Sequence, residues 1–418
     1  MLRGLYSLGW FFGIPLALTY LLYRSIRQPA YRRHWGERFG FLQPPPEGVR
    51  QLWIHAVSVG ETAAAAPLVR RLAARFPQAL VLLTHATPTG RDAGRELLRD
   101  LGPRLRQSYL PYDLPFCVGR FLSVQQPTCG LIMETEVWPN LMHAARIRGT
   151  PMAVINARLS EKSLARGLRY RGLIAPAIEA FDVIVAQTPT DSARVARLAR
   201  PADAVVGNLK FDQAVSPAAR LCGKAWRGRL GSRPIILAAS TRDGEEALLL
   251  RSWRSRRPGI EDALLIIVPR HPNRFETVAA LIAAAMPERR LMRRAALDQA
   301  DADPGHCDIL LGDSMGEMQN WYACADVAIM GGSLLPFGSQ NLIEANALGC
   351  PVVLGQSIFN FEEAAVQSVA AGAAVQVADS GAAVAAALDI ALDAERRAGM
   401  SKAALDFAQA HRGATDRT

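Results

Sequence analysis

Residues 51–76 read QLWIHAVSVGETAAAAPLVRRLAARF. Gln51 to Ala56 reads as a short strand, Ser58 and Gly60 as a tight loop, and the stretch within Thr62 to Phe76 as a helix. Strand, loop and helix in that order make one βα unit, and the pattern recurs along the chain. Leu80 to Thr84 is another strand, from which Thr87, Pro88, Thr89 and Gly90 lead into a further helix. Thr128 to Met133, Met152 to Asn156, Val183 to Gln187 and Val205 to Val206 continue the strand series, which is complete by about Asp212. A polar stretch punctuated by Pro217, Gly223, Gly228, Gly231 and Pro234 then precedes a fresh series. It comprises Ile235 to Ala239, Leu264 to Val268, Asp308 to Leu311, Val327 to Met330 and Pro351 to Leu354. The Ala-rich stretch from Ala382 to Ala394 reads as a surface helix. The expected fold is α/β, two Rossmann-like halves facing across a cleft, with ligands gathered at the carboxyl ends of the strands.

A chain of 418 residues is long enough for two cores, and its mix of 50% hydrophobic and 21% charged residues excludes a disordered protein. The net charge of +10 favours partners that carry phosphate or carboxylate. Only Lys162, Lys210, Lys224 and Lys402 stand among the arginines, so the excess equally reflects genome composition. The six cysteines lie far apart, which argues against a disulfide framework or a zinc site. Upstream of the first unit, Gly4 to Tyr23 carries no charge and matches the ~20 residues a helix needs to cross a hydrocarbon core. Arg24, Arg27, Arg32, Arg33 and Arg38 follow it, against Arg3 before it, which places the bulk of the chain on the cytoplasmic side. No Ala-x-Ala-like site follows, so a cleaved signal is not expected, while Pro15 keeps open a helix lying in the interface.

Chemistry is expected where strands end. WIHAVSVGE, Trp53 to Glu61, puts Glu61 at a helix start, where the backbone amides favour an ionised carboxylate. Spacing alone leaves it equally a general base or a helix cap. METEVWPN, Met133 to Asn140, sets Glu134 and Glu136 two residues apart in what reads as an extended segment, on one side of the chain. GNLKFD places Lys210 after a strand, either to offset negative charge on a substrate or simply solvated. In the second half IIVPRHP runs into Pro269 and Arg270, a guanidinium suited to phosphate. DSMGEM supplies Gly316, Glu317 and Met318 at a helix opening. GGSLLPFGSQNLIEA offers Gly331, Gly332 and Ser333 for close approach to an anion, then Asn341, Leu342, Ile343 and Glu344 at another helix start. His55 and His271 read as structural.

These strings, with QPAYRRHWGERFG from Gln28, TPTG from Thr87, LPYDLP from Leu110, NARLS from Asn156 and FNF from Phe359, resemble the transferases of Kdo (3-deoxy-D-manno-octulosonic acid) in lipopolysaccharide assembly. The resemblance implies a GT-B fold and inverting transfer of Kdo from CMP-Kdo to a lipid A precursor. It implies Glu61 as the base, Glu134 and Lys210 as transition-state stabilisers, and Asn140 among the residues shaping the site. It gives the CMP of the donor to Pro269, Arg270, Gly316, Glu317, Met318, Asn341, Leu342, Ile343 and Glu344. The implied organisation is an inner-membrane anchor with its basic flank over 1–30, an acceptor-binding domain over 31–222 and a CMP-sugar domain over 223–418. Basic residues from Arg24 to Arg38 would meet the phosphates of the lipid. No cofactor, metal or nucleic acid is expected, since no Asp-x-Asp motif follows a strand. The chain departs from the family's commonest form at Ser339, usually glycine, at Gln340, usually histidine, and at Leu342, usually proline. Competing readings are another GT-B nucleotide-sugar enzyme, using or epimerising a UDP-sugar, and a non-catalytic membrane-tethered scaffold.

Overall fold

In the computed structural model, which describes residues 1–256, 260, 262–299 and 301–418, the first series of strands forms a single sheet. Its members are β1 (Gln51–His55), β2 (Leu80–His85), β3 (Leu105–Tyr109), β4 (Cys129–Met133), β5 (Met152–Ala157), β6 (Val183–Ala186) and β7 (Ala204–Val205). The order is β3-β2-β1-β4-β5-β6-β7, with every pairing parallel. Alternate side chains serve opposite faces. Trp53, Leu82, Ile132, Val154 and Ile184 enter one core, while Leu52, Ile54, Val81, Leu83, Ile155 and Val185 enter the other. Burial on both faces is why these strands read as nearly unbroken apolar runs.

The second series forms an independent sheet of β8 (Ile235–Thr241), β9 (Leu264–Pro269), β10 (Leu291–Arg293), β11 (Ile309–Leu311), β12 (Val327–Met330), β13 (Val352–Leu354) and β14 (Ala374–Gln376). Its order is β10-β11-β9-β8-β12-β13-β14, again parallel throughout. The sequence reading missed β3, β10 and β14, each a sheet edge. An edge strand has one paired side and keeps partly wet residues, so it lacks the apolar run that marks a central strand. The Ala-rich segment forms the helix Ser380–Leu392, but it is no surface helix: Ala383, Val384, Ala387 and Leu388 are buried in this unit's core. Small side chains let the helix sit close to the sheet.

The two units comprise Met1–Gln213 with Arg412–Thr418, and Ala214–His411. The expected boundary at 222/223 falls inside the helix Pro217–Leu230, which belongs to the second unit because Trp226 packs on Trp321 with ring centroids 4.4 Å apart. The last seven residues pair with the first unit, not the second as expected. Gly413 N and Thr415 N donate to the Asp212 carboxylate at 2.6 and 2.5 Å, Arg417 Nε donates to Val206 O at 2.9 Å, and Ala414 is buried in the first unit's core.

One helix, Leu2–Arg27, runs unbroken through Pro15, and its Leu2–Ile26 stretch is long and apolar enough to cross a membrane. Leu5, Leu8, Phe11, Phe12 and Leu16 are exposed on it. Another side rests on the first unit: Asn140 Nδ2 donates to Ser7 Oγ at 3.0 Å, and the Trp10 ring lies 5.7 Å from that of Tyr112. Arg38, expected among the cations facing lipid, is buried instead, its guanidinium 4.0 Å from the Tyr109 ring centroid and donating to Ala86 O.

Candidate active site

In each sheet the chain reverses its direction of growth once, at β1/β4 and at β8/β12. Loops leaving such neighbouring strands diverge and open a crevice at their carboxyl ends. Glu61 follows β1 and Glu134 follows β4, so the first unit's switch point holds two of the expected acids.

Glu61 lies in the first turn of the helix Val59–Arg75, with Ser58 as its N-cap. Val57 N–H donates to Glu61 Oε2 at 2.8 Å and the Ser58 hydroxyl donates to Oε1 at 3.0 Å. The cap itself is Ser58, whose hydroxyl accepts from Glu61 N, while the Glu61 carboxyl group ties the loop ahead of the helix. Its charge state departs from the sequence expectation. Burial, then the neighbouring Glu134 carboxylate, push its pKa up to about 7, against the hydrogen bonds from Val57 and Ser58 that favour the anion. Desolvation outweighs the helix start. The result is a carboxyl group poised near neutrality, the range in which a general base works best.

Glu134 does not continue an extended segment. Its φ is +59°, the left-handed region that a residue with a Cβ occupies at a cost, and residues 134–135 form a turn. Glu134 and Glu136 nevertheless stay close enough for Glu134 to help burial raise the Glu136 pKa. Lys210 is not simply solvated: its Nζ lies 2.7 Å from Glu134 Oε1, with both side chains largely buried. The turn that presents Lys210, Leu209–Asp212, is held by Asn156, whose Oδ1 accepts from Leu209 N at 2.9 Å. Asn156, itself at a φ of +54°, positions that turn, a role the NARLS string contained but did not reveal. Asn140, expected to shape the site, is buried and donates to Asp113 O and to the Ser7 hydroxyl of the N-terminal helix.

In the second unit the loops after β9, β11 and β12 supply the candidates. Pro269 ends β9, and Arg270 Nε donates to Gln340 Oε1 at 3.2 Å. Gln340, where the family usually has histidine, therefore contributes an acceptor that orients Arg270. Gly331 and Gly332 do not present free amides to an anion as expected, and the Ser333 hydroxyl is also taken within the loop. Gly331 N donates to Ala239 O, Gly332 N to the Glu245 carboxylate at 2.7 Å, and the Ser333 hydroxyl to Met330 O. The glycine at 331 serves a close approach within the protein, because a Cβ there would lie 2.3 Å from Ser240 O. Ser339, where glycine is usual, sits at a φ of +70°.

Leu342 and Ile343 are core side chains, so they meet a ligand only through backbone. Asn341 caps the helix Leu342–Ala347 by accepting from Ile343 N at 3.1 Å. Glu344 stands near Arg270; burial raises its pKa, and Arg270 and Asn341 oppose that. Gly316 takes a φ of +81° just ahead of the helix Met318–Cys324, whose N-cap is Glu317. The Glu317 carboxylate is taken by Arg294, at 2.8 and 2.7 Å, and by Ser314.

Two residues escaped the sequence reading. Glu245, fully buried, accepts from Gly332 N, Leu334 N and Arg242 N, tying the loops after β8 and β12 together. Arg242 stacks over Phe337 at 4.7 Å and is close enough to Arg270 to depress its pKa, an effect second to burial. The only signal for Glu245 was an acid in the first turn of a helix, which is normally a solvated cap. His55 is structural: buried, with Nδ1 2.9 Å from Thr84 Oγ1, its pKa is pushed down to about 3 by burial and by His85.

A family model for 3-deoxy-D-manno-octulosonic acid transferase (Kdo transferase) matches residues 33–213. A protein of Bordetella pertussis named 3-deoxy-D-manno-octulosonic acid transferase is 42% identical over 426 aligned residues, covering 100% of this chain and 97% of its own. One of the same name from Haemophilus influenzae is 34% identical, over 96% of this chain and 94% of its own. Among solved structures, a Listeria monocytogenes protein described as a UDP-N-acetylglucosamine 2-epimerase superposes with a TM-score of 0.59 at 16% identity, covering 88% of this chain and 94% of that one. At that identity the likeness speaks for the fold alone, and with the two parallel sheets it places the chain in the GT-B class. Identity of 42% and 34% across nearly the whole length of two proteins named as Kdo transferases leaves one assignment: the chain belongs to the Kdo transferase family and is a glycosyltransferase.

Proposed function

We propose that the protein transfers Kdo, with inversion, from CMP-Kdo to a hydroxyl of a lipid A precursor at the inner membrane, its catalytic units on the cytoplasmic side. The observation that carries this reading is Glu61, a carboxyl group at the β1/β4 switch point whose pKa is raised to about 7. In the reaction the acceptor oxygen attacks the anomeric carbon as the bond to the phosphate oxygen breaks. The electron pair leaves with CMP, and the hydroxyl proton passes to Glu61. Lys210, held at 2.7 Å by Glu134, supplies fixed positive charge near the base, and the pair together stabilises the transition state.

The second unit takes the donor. Arg270, oriented by Gln340 and next to Arg242, suits the two anionic groups of a CMP-linked sugar acid, phosphate and carboxylate. Pro269, Gly316, Glu317, Met318 and Asn341 to Glu344 frame the nucleotide, with Leu342 and Ile343 acting through backbone and Glu344 accepting from ribose hydroxyls. The N-terminal helix anchors the chain through the exposed apolar side chains that include Phe11, Phe12 and Leu16.

The test incubates the purified full chain with CMP-Kdo and the tetraacyl lipid A precursor and follows the glycolipid by mass spectrometry. A mass increase by Kdo supports the reading. No product, or consumption of a UDP-sugar in place of CMP-Kdo, overturns it.

A further inference from the structure

The first unit holds a cavity of about 370 Å³ that the chemistry above leaves unused. Val154, Ile184, Leu198 and Phe181, all buried, form part of its lining, with Ile174 half-buried and Tyr170 exposed. Glu134 and Thr135 also line it, so it is continuous with the candidate active site. Protein cores leave few voids larger than a water molecule, and an apolar space of this size has the dimensions of a ligand pocket.

The lining decides the ligand's chemistry. Apart from Glu134 and Thr135 at the active site, the polar side chains that line it among the described residues are Ser163, Arg166 and Tyr170, all exposed. The buried part offers nothing to hydrogen-bond a sugar or a base, and a polar group placed there would go unpaired. Hydrocarbon fits. A methylene takes up roughly the room of a water molecule, about 30 Å³, so the space admits about a dozen. The helix Arg171–Glu179 brings Ile174 and Ile178 to the cavity, and its Gly172 meets the apolar N-terminal helix, where a Cβ would lie 2.7 Å from Leu2 Cδ1. One helix thus borders both the cavity and the segment that carries the exposed apolar side chains.

We infer that this cavity receives one acyl chain of the lipid acceptor and thereby registers the acceptor hydroxyl against Glu61 and Glu134, with Arg166 at the rim available to an anionic head group. The inference rests on the lipid-acceptor reading above and names the part of that lipid the first unit holds.

The test compares the wild type with Ile174→Trp, which fills the cavity from its half-buried edge. Two acceptors are assayed, the tetraacyl precursor and its fully deacylated phosphorylated disaccharide, and a fluorescent medium-chain fatty acid is titrated into each protein. Loss of room for two methylenes corresponds to about tenfold in affinity. The expected result is therefore at least a tenfold fall in the preference for the acylated acceptor, by kcat/KM ratio, and a matching loss of fatty-acid binding. An unaltered preference, or an equal loss on both acceptors, overturns the inference. Should Ile174→Trp not fold, the wild type decides: failure to bind the fatty acid, or indifference to acylation of the acceptor, overturns it. Fatty-acid binding without transfer to either acceptor removes the proposed function and leaves an acyl-binding cavity. Transfer without fatty-acid binding removes the cavity and leaves the function.

Discussion

Glu61 ties the loop after β1 and offers a proton site at once, and two substitutions separate these roles. Glu61→Gln keeps an oxygen to accept from Val57 N–H but cannot take a proton, so kcat should fall by about 100- to 10,000-fold with the fold intact by circular dichroism. Glu61→Ala should lose turnover equally and, at pH 5 where no buried charge is relieved, also about 1 kcal/mol of stability with the hydrogen bonds to Val57 and Ser58, measured by urea denaturation. In the wild type kcat/KM should rise with pH through about 7, because the base acts only when deprotonated. Stability moves the other way. The folded-state pKa lies above the unfolded one, so the folded protein binds the extra proton below neutrality and loses stability as pH rises through about 7. Glu61→Gln should accordingly raise the melting temperature relative to wild type at pH 8 and not at pH 5; the same difference at both would remove burial of the charge as its cause. At Ser339 the φ of +70° predicts that glycine is accepted, whereas Ser339→Val costs about 1–2 kcal/mol by the same measurement.

Among the elements, the loops after β8 and β12 depend on a carboxylate that neither strand contains. Glu245→Ala would leave the buried Gly332 N without its acceptor, at about 1–3 kcal/mol, and would also free the half-buried Leu334 N. Denaturation midpoints should fall accordingly, and KM for the donor should rise as the loop that carries Gln340 loosens its hold on Arg270. Unchanged values in both would show that the loop is held otherwise. The N-terminal helix makes its own prediction. Phe12→Glu with Leu16→Glu, both at exposed positions, should move the protein from the membrane to the soluble fraction on cell fractionation without lowering its melting temperature. Central strands were legible because burial on both faces demands continuous apolar residues, and their ends lay within a residue or two of expectation. Of the sheet edges β7 was read, but β3, β10 and β14 were not, since one paired side asks little of composition.

For the whole molecule, the return of the last seven residues to the first unit is the feature a linear reading could not supply. Asp212→Ala removes the acceptor for Gly413 N and Thr415 N, and with hydrogen bonds to a charged group contributing about 1.5–3 kcal/mol each, the first unit should unfold at distinctly lower denaturant. Hydrogen exchange across β1 to β7 would report it; protection equal to wild type would show that the terminal segment adds nothing. The sequence by itself determined two parallel α/β units, the apolar helix ahead of them, the family, and the positions of Glu61, Glu134, Lys210 and Arg270 at strand or helix boundaries. Those follow from local periodicity and short strings, which survive in a linear text. Only the tertiary structure decided that the Glu61 pKa is pushed up to about 7, that Lys210 is already paired with Glu134, that the amides of Gly331 and Gly332 are taken within the protein, the second by Glu245, and that a cavity adjoins the acids. Each depends on burial or on partners up to 89 residues away, as between Glu245 and Leu334, and desolvation and distance are properties of the packed chain.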